Sequence, residues 1–318
     1  MQKKRIYVAY TGGTLGMQPS PQGYQPVAGY LPKALQQLPQ LQHSAIPDYQ
    51  LQEYAPLLDS SDMQPKHWQQ MANDIHARYD DYDGFVVLHG TDTMAYSAAA
   101  LHYLLMGLSK PVIVTGSQIP LCEPNSDAPR NIRNAFYAAA YSPFAQVTLL
   151  FHHGLYAADS VSKVDAQQLQ AFASINTEPL WQCDHTDWVF PARPSASLPS
   201  ERLALGQVVE HRIAVLTLYP GVDIAWLCEQ LAKPWYAVVL RTFGSGNAPQ
   251  QPALLTALRD AHERGVILIN RSQCWQGVEN MTGYAGAHVL AQCGVQSAAG
   301  KPLEAIIAGL YCGQWSGR

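Results

Sequence analysis

The sequence predicts an α/β protein of two domains: a larger N-terminal domain whose mostly parallel sheet is flanked by helices, and a smaller C-terminal parallel α/β domain. Three observations support this prediction. Continuous apolar runs recur along the chain, helical patterns separate them, and 318 residues exceed the usual size of one compact domain. Continuous apolar strands that alternate with helices are typical of βαβ units, whose parallel sheet is covered on both faces.

The elements follow one another in a regular order. The run RIYVAY at 5–10 predicts the first strand, and further apolar runs predict strands at 84–89, 111–115, 147–152, 213–219, 236–241 and 266–270. Helical patterns lie between them at 67–79, 93–105, 131–140 and 252–265. The stretch from Phe190 to Gly206 is rich in Pro, Ser and Ala and has no period. It predicts a linker at 191–210 between a catalytic domain at 1–190 and a second domain at 211–318.

Composition excludes several classes of partner. The net charge is -4 and no basic cluster exceeds the short KKR at 3–5, so nucleic acid is not expected. No apolar run approaches the ~18 residues that span a bilayer, and the N-terminal apolar stretch is too short for a secretory signal. These features predict a cytoplasmic protein without a membrane partner. The six cysteines form no CxxC pair, and the adjacent His152 and His153 have no further ligand at metal spacing, so no metal is predicted.

The loops that follow the strands are where ligands bind in open α/β sheets. The first such loop reads TGGT at 11–14, and its glycine pair can be explained as a tight turn alone. A dinucleotide fingerprint fails because Thr11 replaces its first glycine and no acidic residue precedes Asp48. A Walker A loop also fails, since no Gly-Lys-Ser/Thr follows. No cofactor is therefore predicted, and a nucleophilic Thr14 remains as the alternative to a simple turn.

Other loops offer groups that could support such a nucleophile. Thr91 and Asp92 stand side by side at a strand end, although Asp92 can equally be the N-cap of the helix that begins near Met94. Lys163 lies in a region of mixed polarity, where a solvated lysine is the usual explanation. A buried lysine beside an aspartate would instead accept or relay a proton.

Several of these segments together resemble one family. TGGT at 11–14 and LHGTDTMAYSA at 88–98 resemble the two signature segments of bacterial L-asparaginases, the threonine amidohydrolases. Further similar segments occur in the family's order: DSSDM at 59–63, VTGSQIPL at 114–121, AFASIN at 171–176 and FGSGNAPQ at 243–250. The absence of a signal peptide makes the chain similar to the cytoplasmic type I branch.

The resemblance implies a mechanism. Thr14 would attack the side-chain amide of L-asparagine and form an acyl-enzyme that water hydrolyses, with Tyr24 assisting the proton transfer. Thr91, Lys163 and Asp92 would form the second catalytic group. Asp92 would also bind the substrate's α-ammonium, and Ser60 and Ser61 its α-carboxylate. On the alternative explanation, Tyr24 is an ordinary loop aromatic and the two serines cap the helix announced by Pro65.

The resemblance also implies an assembly. The family's site lies between subunits, so Asn247 would complete a neighbour's site in a homo-oligomer, a dimer or a tetramer. Some type I members bind asparagine at a regulatory site, for which we consider Arg241 and Cys274, because they follow adjacent predicted strands. Two other functions stay open: a glutaminase-asparaginase of broader specificity, and a catalytically silent amino-acid sensor on the same fold. An amidotransferase subunit usually carries a further N-terminal domain, whereas this sequence starts at its first strand.

Overall fold

The computed structural model describes residues 3–183, 190, 203–283 and 285–315, and the chain divides into two compact units. The first unit comprises Met1–Ser174 and Glu178–Val208, and the second comprises Ile175–Thr177 and Val209–Arg318. The predicted linker at 191–210 lies largely outside the described residues, so the predicted domain limits stay a prediction. The predicted α/β class, with a larger and a smaller mostly parallel sheet, is confirmed.

The first unit is built on one large sheet. The strands of the whole unit are β1 (Arg5–Gly12), β2 (Met17–Ser20), β3 (Gly23–Pro26), β4 (Asp48–Leu58), β5 (Gly84–Leu88), β6 (Leu105–Met106), β7 (Val112–Thr115), β8 (Val147–Phe151), β9 (Gly154–Ala157), β10 (Val161–Lys163), β11 (Phe172–Ser174), β12 (Trp181–Gln182) and β13 (Ala204–Leu205). Seven of these form the sheet in the order β12-β9-β8-β7-β5-β1-β4. Strands β4, β1, β5, β7 and β8 run parallel to one another, β9 is antiparallel to β8, and β12 is antiparallel to β9.

This strand order places a crevice at the carboxyl ends of β1 and β5. Strands β1 and β5 are neighbours, and the chain leaves β1 toward β4 on one side but leaves β5 toward β7 on the other side. Such a reversal opens a crevice between the loops that follow the two strands, where ligands of doubly wound sheets bind. The loop of Thr14 follows β1 and the loop of Thr91 follows β5, so both lie at this point of the sheet.

Helices bury the first sheet. They are α1 (Tyr30–Gln36), α2 (Pro65–Ala77), α3 (Met94–Leu104) and α4 (Ala128–Tyr141). Helix α4 packs on the central strands, and its apolar face joins one core with alternate residues of β1 and β5, such as Ile6, Val8 and Val86. Every residue of β5 is buried, as expected for a strand covered on both faces.

The second unit has a smaller sheet. Its strands are β14 (Ile213–Thr217), β15 (Ala237–Thr242), β16 (Ile267–Ser272) and β17 (Val295–Ser297), all parallel and paired in this order. Its helices are α5 (Ile224–Leu231), α6 (Pro252–Glu263), α7 (Ala285–Gln292) and α8 (Leu303–Tyr311). Leucines of α5 and α6 fill the core on one face, and Ile306 and Leu310 of α8 pack on the other.

Within the described ranges, no helix has both the length and the apolar composition that a membrane span requires.

Candidate active site

The loops after β1 and β5 touch through two glycines. Gly13 has a φ of +93°, and a Cβ built on it would lie 2.3 Å from the backbone nitrogen of Gly90. A Cβ on Gly90 would lie 2.5 Å from the Ser60 Oγ. Only glycine therefore allows this approach of three loops. The glycines bring together the segments that carry Thr14, Thr91 and Ser60.

Thr14 begins a short 3₁₀ turn, Thr14–Gly16, directly after β1. The turn is closed by the Gly16 N–H, which donates to the Gly13 carbonyl at 3.2 Å. The Thr14 side chain is half-buried, and its hydroxyl has no hydrogen-bond partner among the described residues. It is thus a hydroxyl held on a fixed backbone with access to the crevice.

Thr91, Asp92 and Lys163 form one connected group. The Lys163 ammonium donates to Thr91 Oγ1 at 2.9 Å and to Asp92 Oδ1 at 2.8 Å. The Lys163 side chain is 19% exposed and that of Asp92 is 64% exposed. The lysine is therefore not the solvated residue of the alternative explanation. The second oxygen of Asp92 remains open to solvent, so it can accept hydrogen bonds from a ligand.

The Thr91 hydroxyl has a defined direction. It donates to Gln118 Oε1 at 3.2 Å, because its oxygen already accepts from Lys163. The Gln118 amide in turn donates to two carbonyls, those of Ala166 and Gln168. The loop after β7 is thus part of the same network as the loop after β5.

The serine pair stands on a turn of its own. Asp59 Oδ1 accepts both the backbone N–H and the hydroxyl of Ser61, at 2.9 Å each. The Ser60 carbonyl accepts the Thr93 hydroxyl at 2.6 Å, which ties this turn to the loop after β5. The proton of Ser61 is therefore engaged, whereas the Ser60 hydroxyl donates to no other group among the described residues.

Helices α2 and α3 are not capped by the residues that the sequence suggested as caps, namely the serine pair and Asp92. Helix α2 is capped by Gln64, whose backbone N–H donates to His67 Nδ1 at 3.0 Å. Helix α3 has Thr93 at its N-cap position, and the Asp92 carboxylate faces Lys163 instead. Capping thus does not explain Ser60, Ser61 or Asp92.

A buried chain of polar groups lies beneath the loop after β5. The Trp68 indole N–H donates to Ser97 Oγ at 3.0 Å, Ser97 Oγ lies 2.9 Å from His89 Nε2, and His89 Nδ1 lies 2.7 Å from the Gly90 carbonyl. His89 is fully buried. Burial lowers the pKa of the imidazole to about 4, so it is neutral at physiological pH.

Tyr24 lies on the hairpin of β2 and β3 and is 47% exposed. Its hydroxyl donates to Glu123 Oε1 at 2.6 Å, so its single proton is not directed to Thr14. The hydrogen bond to the Glu123 carboxylate raises the pKa of the phenol above its ordinary value. Tyr24 therefore has a specific partner.

The second unit holds Asn247 on a braced turn. The backbone N–H and carbonyl of Asn247 both pair with Phe243, at 2.8 and 2.9 Å. The turn between them is held from β16, because Asn270 Nδ2 donates to the Gly246 carbonyl at 2.9 Å and Ser272 Oγ donates to the Gly244 carbonyl at 2.5 Å.

A buried ion pair lies behind this turn. The Arg271 guanidinium donates to Glu279 Oε1 at 3.2 Å, and the side chains are 6% and 0% exposed. The same carboxylate accepts the N–H of Ser272, the hydroxyl of Ser297 and the N–H of Gly300. Both of its oxygens are therefore satisfied.

The sequence places Arg241 and Cys274 after neighbouring strands, but in the structure only Cys274 follows its strand and Arg241 lies within one. Arg241 belongs to β15, and its Nε is buried without a hydrogen-bond partner among the described residues. Cys274 comes just after β16 and is exposed. No cluster of three His, Cys, Asp or Glu that could hold a metal ion occurs in the described parts of the chain.

Sequence reasoning missed several groups that contact the candidate residues or lie beneath the loop of Thr91: Asp59, Trp68, His89, Ser97, Gln118 and Glu123. His89 and Gln118 stand inside quoted segments and next to strand ends, which was a usable signal. The contacts of Trp68 and Glu123 join residues 29 and 99 positions apart in the chain, and no local pattern reports these.

Known proteins share both the sequence and the fold. Residues 5–195 match the family model "Asparaginase, N-terminal", and residues 212–312 match "Glutaminase/Asparaginase C-terminal domain". The chain is 47% identical to L-asparaginase 1 of Escherichia coli K12 over 312 residues, which cover 98% of this chain and 92% of that protein. The crystal structure of L-asparaginase I from Vibrio cholerae is 43% identical, with a TM-score of 0.89, coverage of 98% of this chain and 92% of that one. The L-asparaginase of Thermococcus kodakarensis is 26% identical, with a TM-score of 0.84 and coverage of 96% and 92%.

Proposed function

The chain belongs to the asparaginase family, and from that premise we propose that it hydrolyses L-asparagine to L-aspartate and ammonia. The observation that carries the proposal is the group of Thr91, Lys163 and Asp92 beside the contact of Gly13 with Gly90. This group provides charge and proton relay next to the Thr14 hydroxyl.

In the proposed reaction, the Thr14 hydroxyl attacks the side-chain amide carbon of asparagine. The C–N bond breaks, and the leaving nitrogen takes up the proton of the Thr14 hydroxyl and departs as ammonia. An aspartyl ester of Thr14 remains. Water then cleaves this ester and restores the hydroxyl. Thr91 and Lys163 direct the protons of these steps, and backbone N–H groups beside Thr14 and Thr91 stabilise the oxyanion, each donor contributing roughly 3–4 kcal/mol.

The substrate's α-groups have separate partners in this proposal. The open oxygen of Asp92 binds the α-ammonium, and the pairing is favourable because both groups are charged. Ser60 donates to the α-carboxylate. Ser61 joins it after its hydroxyl turns away from Asp59, the group that it contacts in the free protein. Tyr24 assists Thr14 in the same way, by releasing Glu123 when the hairpin of β2 and β3 closes.

The assembly and its control are proposed as well. We infer a cytoplasmic homo-oligomer, a dimer or a tetramer, in which Asn247 completes a neighbour's site. Asparagine at a second site beside Arg241 and Cys274 would regulate it. The supporting observations are the braced turn of Asn247 and the unpartnered, buried Nε of Arg241, counted among the described residues.

The first experiment compares ammonia release from L-asparagine and L-glutamine by wild type, Thr14→Val and Thr14→Ser. Valine keeps the shape of the side chain without the hydroxyl, and serine keeps the hydroxyl. We expect turnover to vanish in Thr14→Val and to persist in part in Thr14→Ser. Acid quenching followed by mass spectrometry should find an aspartyl ester on wild type and on Thr14→Ser, but not on Thr14→Val.

The same assay separates the alternatives. Asparagine and glutamine differ by one methylene, worth about 1–3 kcal/mol in a pocket, so comparable kcat/KM values would establish the broader specificity. Binding of either amino acid without ammonia release would establish the sensor. A sigmoidal dependence on asparagine that Arg241→Met abolishes would support the regulatory site, and activity regained by co-refolding Thr14→Val with Asn247→Ala would support the shared site.

A further inference from the structure

The proton positions in the buried chain beneath the loop after β5 follow from the chemistry of its ends. An indole nitrogen only donates, so Ser97 Oγ accepts from Trp68. A carbonyl only accepts, so His89 Nδ1 carries the proton that binds the Gly90 oxygen. The neutral imidazole then presents Nε2 as an acceptor, and the Ser97 hydroxyl donates to it. Every group in the chain is satisfied in this one arrangement.

The hydrogen bond of His89 also fixes a peptide plane. In a trans peptide the carbonyl and the N–H point in opposite directions, and in the described residues only the Ala55–Pro56 peptide is cis. With its oxygen held by the buried imidazole, the Gly90–Thr91 peptide directs the Thr91 N–H away from the core. This N–H donates to no protein acceptor in the described part of the chain.

We propose that His89 is a positioning residue: clamped by Ser97, its imidazole orients the Gly90–Thr91 peptide so that the Thr91 N–H faces the amide that Thr14 attacks. The inference rests on the proposed function, because it assigns to His89 the alignment of an oxyanion donor. Gly90 lacks a side chain to restrict its own peptide, so the plane is set from outside by the hydrogen bond.

Neutrality makes His89 suitable for this task. A charged donor beside the Gly90 carbonyl would bring an uncompensated charge into the core, whereas burial keeps the imidazole neutral. A neutral ring has one N–H, and the carbonyl at one end and the serine at the other decide which nitrogen carries it. Serine and tryptophan thus act on the loop through His89.

Two variants of His89 separate orientation from packing. In His89→Asn the amide N–H takes the position of Nδ1 and can still bind the Gly90 carbonyl. In His89→Gln the amide takes the position of Nε2 and contacts Ser97 instead. Both variants are polar and lose one contact each. Loss of an oxyanion donor lowers kcat by about 10²–10³-fold, so we expect a loss of about a hundredfold in His89→Gln.

The expected pattern is specific. His89→Asn should keep kcat within about tenfold of wild type, and KM should change less than about threefold in both variants, because ground-state binding is untouched. Equal kcat losses in the two variants, or losses expressed in KM, would overturn the proposal. If both variants fold poorly, Ser97→Ala releases the clamp at Nε2 and should lower kcat by about fivefold, the equivalent of one neutral hydrogen bond. An unchanged kcat there would overturn it too.

Crystal structures of the two variants test the inference without activity. The Gly90 carbonyl should keep its direction in His89→Asn and turn in His89→Gln, and an unchanged carbonyl in both would contradict the positioning role. If wild type releases no ammonia, the proposed function fails, while the direction of this carbonyl still decides whether His89 orients the peptide.

Discussion

Two ion pairs of the molecule, one at the crevice and one in the core of the second unit, differ in how completely they are satisfied. Lys163 and Asp92 meet at the crevice of the first unit, where the aspartate is 64% exposed and keeps one oxygen open. Arg271 and Glu279 meet in the second unit with no more than 6% exposure, and the glutamate accepts four hydrogen bonds. The open pair can still bind a ligand. In the closed pair both carboxylate oxygens already accept hydrogen bonds within the protein, so the pair holds loops in place and does not bind a ligand.

The largest effect should come from the open pair, on activity. In Lys163→Met we expect kcat to fall by about 10³-fold, roughly 4 kcal/mol of activation free energy, because Thr91 loses its ammonium. The free energy of unfolding should change by less than about 1 kcal/mol, since the pair is partly exposed. Steady-state kinetics and urea unfolding measure the two quantities. Lys233→Met, at an exposed lysine, is the control. A stability loss as large as the activity loss would erase the contrast between the pairs.

The closed pair should show the opposite signature. In Glu279→Gln we expect the free energy of unfolding to fall by about 3 kcal/mol, because Arg271 stays buried without its counter-charge. Urea unfolding of the full chain measures this loss, with Glu263→Gln on the exposed face of α6 as the matched control. Unchanged stability would mean that the carboxylate is not needed to hold these loops.

Acid should lower the stability of the first unit through His89. Like Glu279, this side chain is fully buried, although it lies beneath the loop that carries the open pair. Its pKa is about 4 when folded and 6.5 when unfolded, so between these values the unfolded chain binds a proton that the folded chain does not. As the pH falls through this window, the free energy of unfolding should decrease by on the order of 1.4 kcal/mol per pH unit. Urea unfolding at several pH values measures the slope. A slope that His89→Asn leaves unchanged would assign it to other groups.

The smallest effect should come from an ion pair at the surface. Lys4 and Asp83 meet at 2.9 Å with both side chains more than a third exposed. In Lys4→Met we expect a change in the free energy of unfolding within about 0.5 kcal/mol. A larger loss in thermal or urea unfolding would show that exposure alone does not separate the pairs.

The sequence was most informative about buried parallel strands. Strands β1, β5, β7 and β8 are continuous apolar runs, and the runs at 213–219, 236–241 and 266–270 become β14 to β16. Strand β4 was missed because it lies at the edge of the sheet and its residues DYQLQEYAPLL alternate with exposed polar side chains. The hairpin of β2 and β3 was missed because both short strands contain proline and mostly polar residues.

The candidate site was predictable where strand ends determine it. Thr14, Thr91 and Asp92 were found because each follows an apolar run. Contacts between distant segments were not predictable from the sequence. The ion pair of Arg271 with Glu279 and the hydrogen bond of Tyr24 to Glu123 both depend on how such segments pack. The composition around Lys163 favoured a solvated side chain over a buried one, and only the packing of β10 shows that the side chain is mostly buried.

Three residues of the second unit lie far from the rest of it in the chain, and this restricts how such proteins can recombine. Asn176, with a φ of +58°, donates to the carbonyls of Gly277 and Gly300 and accepts the Gly277 N–H. A gene exchange that joins two relatives near residue 209 would separate this asparagine from the loops it evolved with. Viable crossovers should therefore fall before Ile175 or carry the segment Ile175–Thr177 along with the second unit.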